Sequence, residues 1–341
     1  MHRPQATINQ LFNEETTMKR SIAASLTALA CATVCLTTAA AADLGKGPIT
    51  LVSPFPPGGG TDTLTRMVAA AVAADTGWDM VVENKPGAGG NLALDSVARA
   101  KPDGHTLVMA QTDNVVLNPW LYNKLSYDTF KDFKPVVLVA ASPSVYVTMP
   151  KSPYRTIEDV EKAAKANPGR LSVGVPGVGS SGDLIGHLWR KEAGINFTAV
   201  PYRGWAQAYP DLSSGRIDIY NGSVATLLSQ IKAGTVHALG VVGDQRSASL
   251  PDVPTFVDKG YKQIDQTIWW GLMAPGKTPD EVVRQLNEAV NKAISKPEFV
   301  AKLRDAGYQA LGGTPAEFGR RYKQDYDAFG AVITQAGIEK Q

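Results

Sequence analysis

Three glycine-rich loops are the segments of this sequence best suited to hold a ligand. The first, at residues 54–62, reads PFPPGGGTD, the second, at residues 86–91, reads PGAGGN, and the third, at residues 177–182, reads GVGSSG. Glycine lets a ligand approach the main chain closely, and a helix that starts after such a loop leaves N–H groups unpaired in its first turn. Those groups favour an anion by about 0.3–1 kcal/mol. Each loop is therefore either a tight turn without a ligand or part of an anion site.

Two of the glycine motifs resemble nucleotide-binding patterns but lack an essential part. The third loop fits G-x-G-x-x-G, yet the strand after it ends at residues 200–203, VPYR, with no acidic residue for a ribose. Residues 271–278, GLMAPGKT, fit the phosphate-binding loop G-x-x-x-x-G-K-T, but Pro275 removes one of the N–H groups that would hold the phosphates. We therefore expect neither dinucleotide binding nor nucleotide hydrolysis.

Residues that could perform catalysis are poorly placed. His105, His187 and His237 form no pair with metal-ligand spacing. Ser180 and His187 are seven residues apart along one predicted helix, about 10 Å, which is too far for proton transfer. Asp183 and His187 are spaced to pair on the surface of that helix. No G-x-S-x-G motif is present. The sequence thus predicts no enzyme and no metal site.

Short β-rich runs alternate with helical patterns, which predicts βα units and largely parallel sheets. The first strand, at residues 49–53, leads into the first loop and then a helix over about residues 61–75. Residues 136–149 form an apolar stretch, broken at Ser142-Pro143, that is longer than one short strand requires. Further strands are predicted at residues 80–83, 106–109, 171–175, 197–200, 217–220, 238–242 and 268–272.

The last long amphipathic helix has a clear predicted start. Thr278 suits the N-cap, Pro279 the first helical position, and Glu281 the position that completes a capping box.

The first 42 residues have the three-part plan of a signal peptide. Residues 18–20, MKR, are basic, residues 21–38 are uncharged and apolar, and three alanines ending at Ala42 offer a cleavage site. This pattern favours cleavage near Ala42 and export to the periplasm over a membrane anchor. Both cysteines, Cys31 and Cys35, leave with the leader, so the mature chain has no disulfide and no thiolate metal site.

The composition is that of an ordinary globular protein. The chain has 341 residues, 44% of them hydrophobic, which suggests about two domains. The net charge is +2, without basic runs, so we expect no nucleic-acid partner.

Taken together, the loop motifs resemble the substrate-binding proteins of tripartite tricarboxylate transporters, the Bug family. The segments that carry the resemblance, in order over residues 47–341, are residues 54–62, 82–91, 102–107, 118–122, 177–180, 200–204 and 250–255. The resemblance implies an α/β, type II periplasmic binding protein fold: two domains with mainly parallel sheets flanked by helices, and a ligand cleft between them. It implies a non-enzymatic monomer that needs no cofactor, binds a small mono- or dicarboxylate, and delivers it to a two-subunit membrane permease. A receptor for a sensor kinase and an exported hydrolase are the alternatives.

The expected domain plan has two crossings. After the signal peptide and leader at residues 1–42, domain 1 comprises residues 43–141 and 266–341, and domain 2 comprises residues 142–265. The chain would cross near Ala141 and again near Gln266.

The resemblance also assigns ligand-binding residues by position, with the first and third loops facing each other across the cleft. The residues carried over are, from the first loop, Phe55, Pro57, Gly58, Gly59 and Thr61; from the third loop, Gly179, Ser180 and Ser181; and from the cleft walls, Thr112, Asn114 and Asn221.

Four further positions depart from the family pattern or stay open. Asp183 stands where the family commonly has His, and it either caps the helix or accepts an amine or hydroxyl of the ligand. Trp205 replaces a smaller residue and either packs or stacks on an aromatic ligand. Tyr202 is a candidate ligand residue, and Arg203 either pairs with a second carboxylate or lies in solvent.

Overall fold

The computed structural model describes residues 44–262, residue 264 and residues 267–340. The predicted signal peptide at residues 1–42 and the predicted crossing near Gln266 lie outside these residues. Across the described ranges, no helix is both long enough and apolar enough to cross a membrane.

Strands and helices alternate along the described chain. The strands are β1 (Ile49–Ser53), β2 (Met80–Asn84), β3 (Thr106–Gln111), β4 (Phe133–Thr148), β5 (Ser172–Val175), β6 (Thr198–Pro201), β7 (Ile219–Ser223), β8 (His237–Val241), β9 (Thr267–Pro275) and β10 (Gln309–Ala310). The α-helices are α1 (Gly60–Thr76), α2 (Asn91–Ala98), α3 (Asn118–Leu121), α4 (Ile157–Ala166), α5 (Ser181–Ala193), α6 (Trp205–Ser213), α7 (Val224–Lys232), α8 (Asp280–Ile294), α9 (Pro297–Asp305) and α10 (Pro315–Ala336). Every strand predicted from the sequence overlaps one of these strands.

Two mixed sheets share the long strand β4. The first sheet has the order β2–β1–β3–β9–β4, with β10 also paired to β4, and in the second sheet β4 lies between β8 and the run β7–β5–β6. Pairing is parallel within β2–β1–β3 and within β6–β5–β7, as the alternation of elements predicts. The strands at the junction, β9 and β4, pair antiparallel with their neighbours.

Strand β4 changes partners where the sequence has Ser142-Pro143. Residues up to Pro143 pair with β9, and residues from Ser144 onward pair with β7 and β8. Proline has no N–H to donate to a ladder, so the end of one ladder is a position that tolerates it. The apolar stretch at residues 136–149 is therefore one strand serving two sheets.

Side chains on both faces of each sheet are covered by helices. On β1, Ile49 and Leu51 pack into a core with α1 and α8, whereas Val52 packs into a second core with α2 and α10. The second sheet packs against α4 and α5 on one face and against α6 and α7 on the other. This three-layer arrangement is the one expected of α/β proteins.

The capping box predicted at the start of α8 is wrong. Pro279 is the N-cap, the helix begins at Asp280, and no side chain caps it. Thr278 is fully buried and its hydroxyl has no hydrogen-bond partner, while Arg284 donates to the Glu281 carboxylate. Burial keeps the Thr278 side chain in the interior, and Arg284 holds the Glu281 carboxylate. Neither side chain therefore reaches the start of the helix. Boxes of this type do form at α4 and α10.

Ser142 connects three segments at the junction of the two sheets. Its hydroxyl donates to the Gly307 carbonyl at 3.0 Å and accepts the Ala225 N–H at 3.1 Å. Gly307 has a φ of +83°, and a Cβ on it would lie 2.9 Å from the Ala225 Cα. The turn after α9 therefore packs backbone to backbone on the start of α7, which requires glycine.

We expect Gly307→Ala to lower the free energy of unfolding by about 2–5 kcal/mol. Left-handed backbone strain contributes about 1–2 kcal/mol and overpacking adds about 1–3 kcal/mol. Gly194→Ala is the matched control because Gly194 has a φ of +62° but open space around its Cβ position. Gly194→Ala should therefore lower the free energy of unfolding by the left-handed backbone strain alone, about 1–2 kcal/mol. Urea denaturation measures both variants, and equal losses would show that the close backbone contact carries no cost.

Candidate functional site

The first loop joins β1 to α1 and is held together by Asp62. The Gly58 N–H and the Asn84 side-chain amide donate to the Asp62 carboxylate at 2.9 and 2.8 Å, and Arg66 donates to it as well. Burial by itself would raise the pKa of Asp62, but the hydrogen bonds from Arg66, Gly58 and Asn84 hold that pKa below its usual value. The loop therefore keeps its shape through an ionised carboxylate of its own.

The predicted ligand residues of the first loop differ in exposure and in whether their polar groups already have hydrogen-bond partners. The exposed or half-buried ones are Phe55, Pro57, Gly58 and Gly59. The Thr61 hydroxyl is buried, accepts the Trp270 indole N–H at 2.8 Å and donates to the Gln111 side chain at 2.9 Å. The loop's remaining donors are the N–H groups that head α1, which have no carbonyl partner within the helix.

The third loop uses Ser180 and Asp183 for its own capping. Ser180 is the N-cap of α5, and its hydroxyl accepts the Asp183 N–H at 3.3 Å and donates to the Gly177 carbonyl at 2.8 Å. The Asp183 carboxylate accepts the Gly179 N–H at 2.9 Å. Of the two roles open to Asp183 from the sequence, the structure contains the capping one. The Ser180 hydroxyl has both of its hydrogen bonds within the loop and the first turn of α5.

Asp113 connects the end of β3 with the third loop, and the sequence reasoning missed it. Its carboxylate accepts the Ser181 N–H at 3.3 Å. The Ser181 side chain is buried and its hydroxyl has no hydrogen-bond partner. Burial raises the pKa of Asp113 to about 6, and the polar groups of Ser181 oppose that rise. A carboxylate of the protein itself therefore lies at the helix start where the sequence predicts that a ligand carboxylate binds.

A π-helical turn, Asp113–Leu117, determines the position of this carboxylate. Such turns are rare and occur frequently at functional sites. The available sequence signal was that Asp113 directly follows a strand and stands between two predicted wall residues, Thr112 and Asn114. The carboxyl ends of strands in α/β sheets are where ligands bind.

The predicted wall residues are fully buried and only partly hydrogen-bonded. The Asn114 side-chain oxygen accepts the Gln111 N–H at 3.0 Å, and the Asn221 oxygen accepts the Ser144 hydroxyl at 3.0 Å. The side-chain nitrogens of both asparagines have no hydrogen-bond partner. The Thr112 hydroxyl, by contrast, accepts a main-chain N–H of β9 at 3.0 Å. Two of the three predicted wall residues, Asn114 and Asn221, therefore keep a side-chain N–H donor without a partner.

The two halves of the site touch at a second point. A Cβ on Gly179 would lie 2.5 Å from Leu121 Cδ1, so the third loop rests on α3. A Cβ on Gly182 would collide with the Asn221 side-chain oxygen, so that asparagine lies against the first turn of α5. At the start of α1, a Cβ on Gly60 would lie 3.3 Å from the Thr226 hydroxyl of α7. The helix starts of one sheet thus contact elements of the other.

The second glycine loop supports the site from behind. Gly90 has a φ of +95°, and a Cβ there would lie 3.1 Å from Pro54 and from the Asn114 nitrogen. The Asn91 side chain accepts the Tyr127 hydroxyl at 2.7 Å. This loop fixes the backs of the first loop and of the π turn.

Three residues near the start of α6 have other partners. The Tyr202 hydroxyl donates to Asp211 at 2.9 Å, and the Arg203 side chain is exposed. The Trp205 ring packs on the buried Tyr220 ring, with 5.2 Å between centroids. Among the described residues, no hydrogen bond or ring pair joins these three side chains to the first or third loop.

A cavity of about 480 Å³ lies elsewhere, against α4 and β8, and its lining includes Arg155, Glu158, His237 and Lys259. None of the predicted ligand residues lines it. Among the described residues, no group of three His, Cys, Asp or Glu side chains is placed to hold a metal ion.

The raised pKa of Asp113 predicts a pH-dependent stability. Because the folded state holds this proton more tightly than the unfolded state, the stabilisation is fully present below about pH 4 and is lost as the pH rises through about 6. We expect wild type to lose about 1–3 kcal/mol relative to Asp113→Asn between these values. Thermal unfolding of both proteins from pH 4 to 7 measures the difference, and parallel curves would contradict it.

Known proteins resemble this chain along most of its length. A protein encoded between tcbD and tcbE in Pseudomonas sp. is 38% identical over 289 residues, which are 84% of this chain and 86% of that protein. The structure of R. palustris Rpa4515 with adipate superposes with a TM-score of 0.82 at 31% identity, covering 86% of this chain and 98% of that one. The periplasmic binding protein BugD gives a TM-score of 0.79 at 31% identity, covering 86% of this chain and 99% of that one.

The family signature described as "Tripartite tricarboxylate transporter family receptor" matches residues 64–338. The resemblance stated from the loop motifs and the periplasmic binding protein fold are both confirmed. The chain belongs to the tripartite tricarboxylate transporter receptor family, whose members are periplasmic solute-binding proteins.

Proposed function

We propose that this receptor captures a small mono- or dicarboxylate in the cleft between its first and third loops and delivers it to a two-subunit membrane permease. The observation that carries the proposal is a set of buried polar groups without partners at predicted ligand positions: the side-chain nitrogens of Asn114 and Asn221 and the hydroxyl of Ser181. Each unpaired buried donor costs about 1–3 kcal/mol. A ligand that supplies acceptors removes that cost. Adipate, the molecule with Rpa4515, is such a ligand.

The anion is held by main-chain and neutral side-chain donors. No Lys or Arg occurs at residues 54–65 or at residues 171–189, which contain the two loops. Arg66, the next basic residue, donates to Asp62. N–H groups at a helix start bind an anion without leaving an unpaired cation buried when the site is empty.

The two domains are residues 43–141 with 266–341 and residues 142–265, and they close on the ligand as a hinge. The change of partners in β4 at Pro143, two residues from the proposed crossing near Ala141, supports this division. The proposed second crossing near Gln266 lies outside the described residues. A cleft lined from both sides gains contacts only when it shuts.

The geometry favours binding over hydrolysis. The Ser180 hydroxyl donates to the Gly177 carbonyl rather than to a base. His187 lies 3.9 Å from the Asp183 carboxylate and contacts Arg190, and burial followed by the Arg190 charge lowers its pKa. The packing of Trp205 on Tyr220 favours an aliphatic over an aromatic ligand.

The protein acts outside the cytoplasm after cleavage near Ala42, as a monomer without cofactor. A neighbouring permease gene, rather than a sensor-kinase gene, would separate transport from signalling.

Gly59→Val is expected to weaken carboxylate binding at least tenfold while leaving the fold intact. Gly59 has a φ of −80°, and its Cβ position meets nothing closer than the Pro56 carbonyl at 3.6 Å, so valine fits the chain but fills space at the ligand's approach. Ser181→Ala removes one neutral hydrogen bond and should cost about 0.5–1.5 kcal/mol. Calorimetry with adipate and shorter dicarboxylates measures both.

Arg203→Ala is the control for this prediction, because the Arg203 side chain is exposed and away from the loops. It should bind as wild type does. If it abolishes binding while Gly59→Val does not, a charge clamp rather than the main chain recognises the anion.

Hinge closure predicts that a saturating ligand shortens the radius of gyration. X-ray scattering with and without the dicarboxylate identified by calorimetry measures it. Identical scattering curves at saturation would contradict closure, whereas binding itself would still stand on the calorimetry.

A further inference from the structure

Asp113 differs from Asp62 and Asp183 because its hydrogen-bond donor belongs to a distant segment of the chain, the third loop. It accepts the Ser181 N–H at 3.3 Å and is influenced by the Ser181 side chain, although a carboxylate can accept about four hydrogen bonds. Asp62 accepts from Gly58, Asn84 and Arg66, and Asp183 accepts from Gly179. Those two carboxylates are therefore committed to the loops that they stabilise, whereas Asp113 is not.

No cation compensates Asp113 among the described residues. Burial and the groups of Ser181 are the influences that act on its carboxyl, and no Lys or Arg nitrogen lies within 4 Å of it. On α5, the basic side chains of His187 and Arg190 contact each other at 2.9 Å. A half-buried carboxylate without a cation is a costly arrangement that a bound donor relieves.

This position discriminates between kinds of carboxylate. A plain dicarboxylate that binds at the start of α5 brings its negative charge next to Asp113, and like charges at close range repel. A ligand that carries an ammonium or hydroxyl group beside its carboxylate offers Asp113 a hydrogen bond instead. Hydrogen bonds to an ionised carboxylate are roughly twice as strong as neutral ones.

We propose that Asp113 is a specificity-determining residue that selects carboxylates bearing a hydrogen-bond donor, an ammonium or a hydroxyl, next to the carboxylate. The inference rests on the proposed function, because it assumes that the cleft binds a carboxylate. The ligand carboxylate pairs with the unused donors of Ser181, Asn114 and Asn221, and the ligand's donor pairs with Asp113. One molecule thus satisfies the buried donors and the half-buried Asp113 carboxylate.

The test uses acids that differ only in the group at the second carbon. Calorimetry on the purified protein compares succinate, malate and aspartate, and in a longer series adipate and 2-aminoadipate. In at least one series, wild type should bind the substituted acid at least tenfold more tightly than the unsubstituted parent. Asp113→Asn should reduce that preference at least tenfold for the amino acid, and less for the hydroxy acid, because asparagine keeps an acceptor oxygen. Asp211→Asn, a carboxylate variant at the Tyr202 hydroxyl, should keep the wild-type preference.

Three outcomes would overturn the inference. Parent dicarboxylates that bind wild type as tightly as the substituted acids do would show that Asp113 does not select a donor. Asp113→Asn could instead bind the unsubstituted acid more tightly than wild type does and keep the wild-type preference for the substituted acid. That result would mean that Asp113 only competes with the ligand for the N–H groups at the start of α5. Failure of every acid in both series to bind wild type would contradict the proposed function itself. Thermal unfolding confirms that the variants are folded.

Discussion

The need of a helix start for hydrogen-bond acceptors organises this molecule. Helices α1 and α5 each begin directly after a glycine loop at the end of a parallel strand, and the first N–H groups of a helix have no carbonyl partner. At α5, Asp113 accepts the Ser181 N–H and the Ser180 hydroxyl accepts the Asp183 N–H. Asp62 and Asp183 accept the N–H groups of Gly58 and Gly179, which stand one residue before the N-caps. The two local carboxylates fix loop shape, and the third comes from the end of another strand. In the proposed function, the remaining unpaired N–H groups attract the anionic ligand.

The scaffold around these helix starts is built so that the two halves meet at a few specific contacts. Strand β4 runs through both sheets, and Ser142 connects it to the start of α7 and to the turn after α9. The second glycine loop packs behind the first and behind the π turn. Rigid support of this kind allows buried asparagines to keep unused donors without the surroundings collapsing onto them. The cost of those unpaired groups is what a ligand with acceptors recovers.

The absence of a lysine or arginine from both loop segments has a consequence for the empty protein. A buried cation would need a partner whenever the ligand leaves, whereas main-chain N–H groups and amide nitrogens are neutral and cost less to leave unpaired. Asp113 is the exception, because it places a carboxylate of the protein itself at the start of α5, where the proposed ligand anion binds. Burial raises the pKa of Asp113 to about 6, and in the proposed function the charge balance of the cleft then also depends on what the ligand brings.

Periodicity and turn chemistry alone determined the order of the elements and the three glycine loops, because strand runs, helix starts and glycine positions are local properties of the chain. The family followed from the resemblance of the loop motifs. Asn114, Asn221 and Ser181 were predicted by resemblance, and the structure adds that each keeps a buried polar group unpaired. Local pattern failed at Thr278, where burial overrides a capping box, and it left the role of Trp205 open until Tyr220 was found beneath it. Asp113 was missed because its meaning depends on Ser181, sixty-eight residues away in the sequence. Only the tertiary structure brings the end of one strand to the start of a helix in the other sheet, and that juxtaposition decides which chemistry the cleft contains.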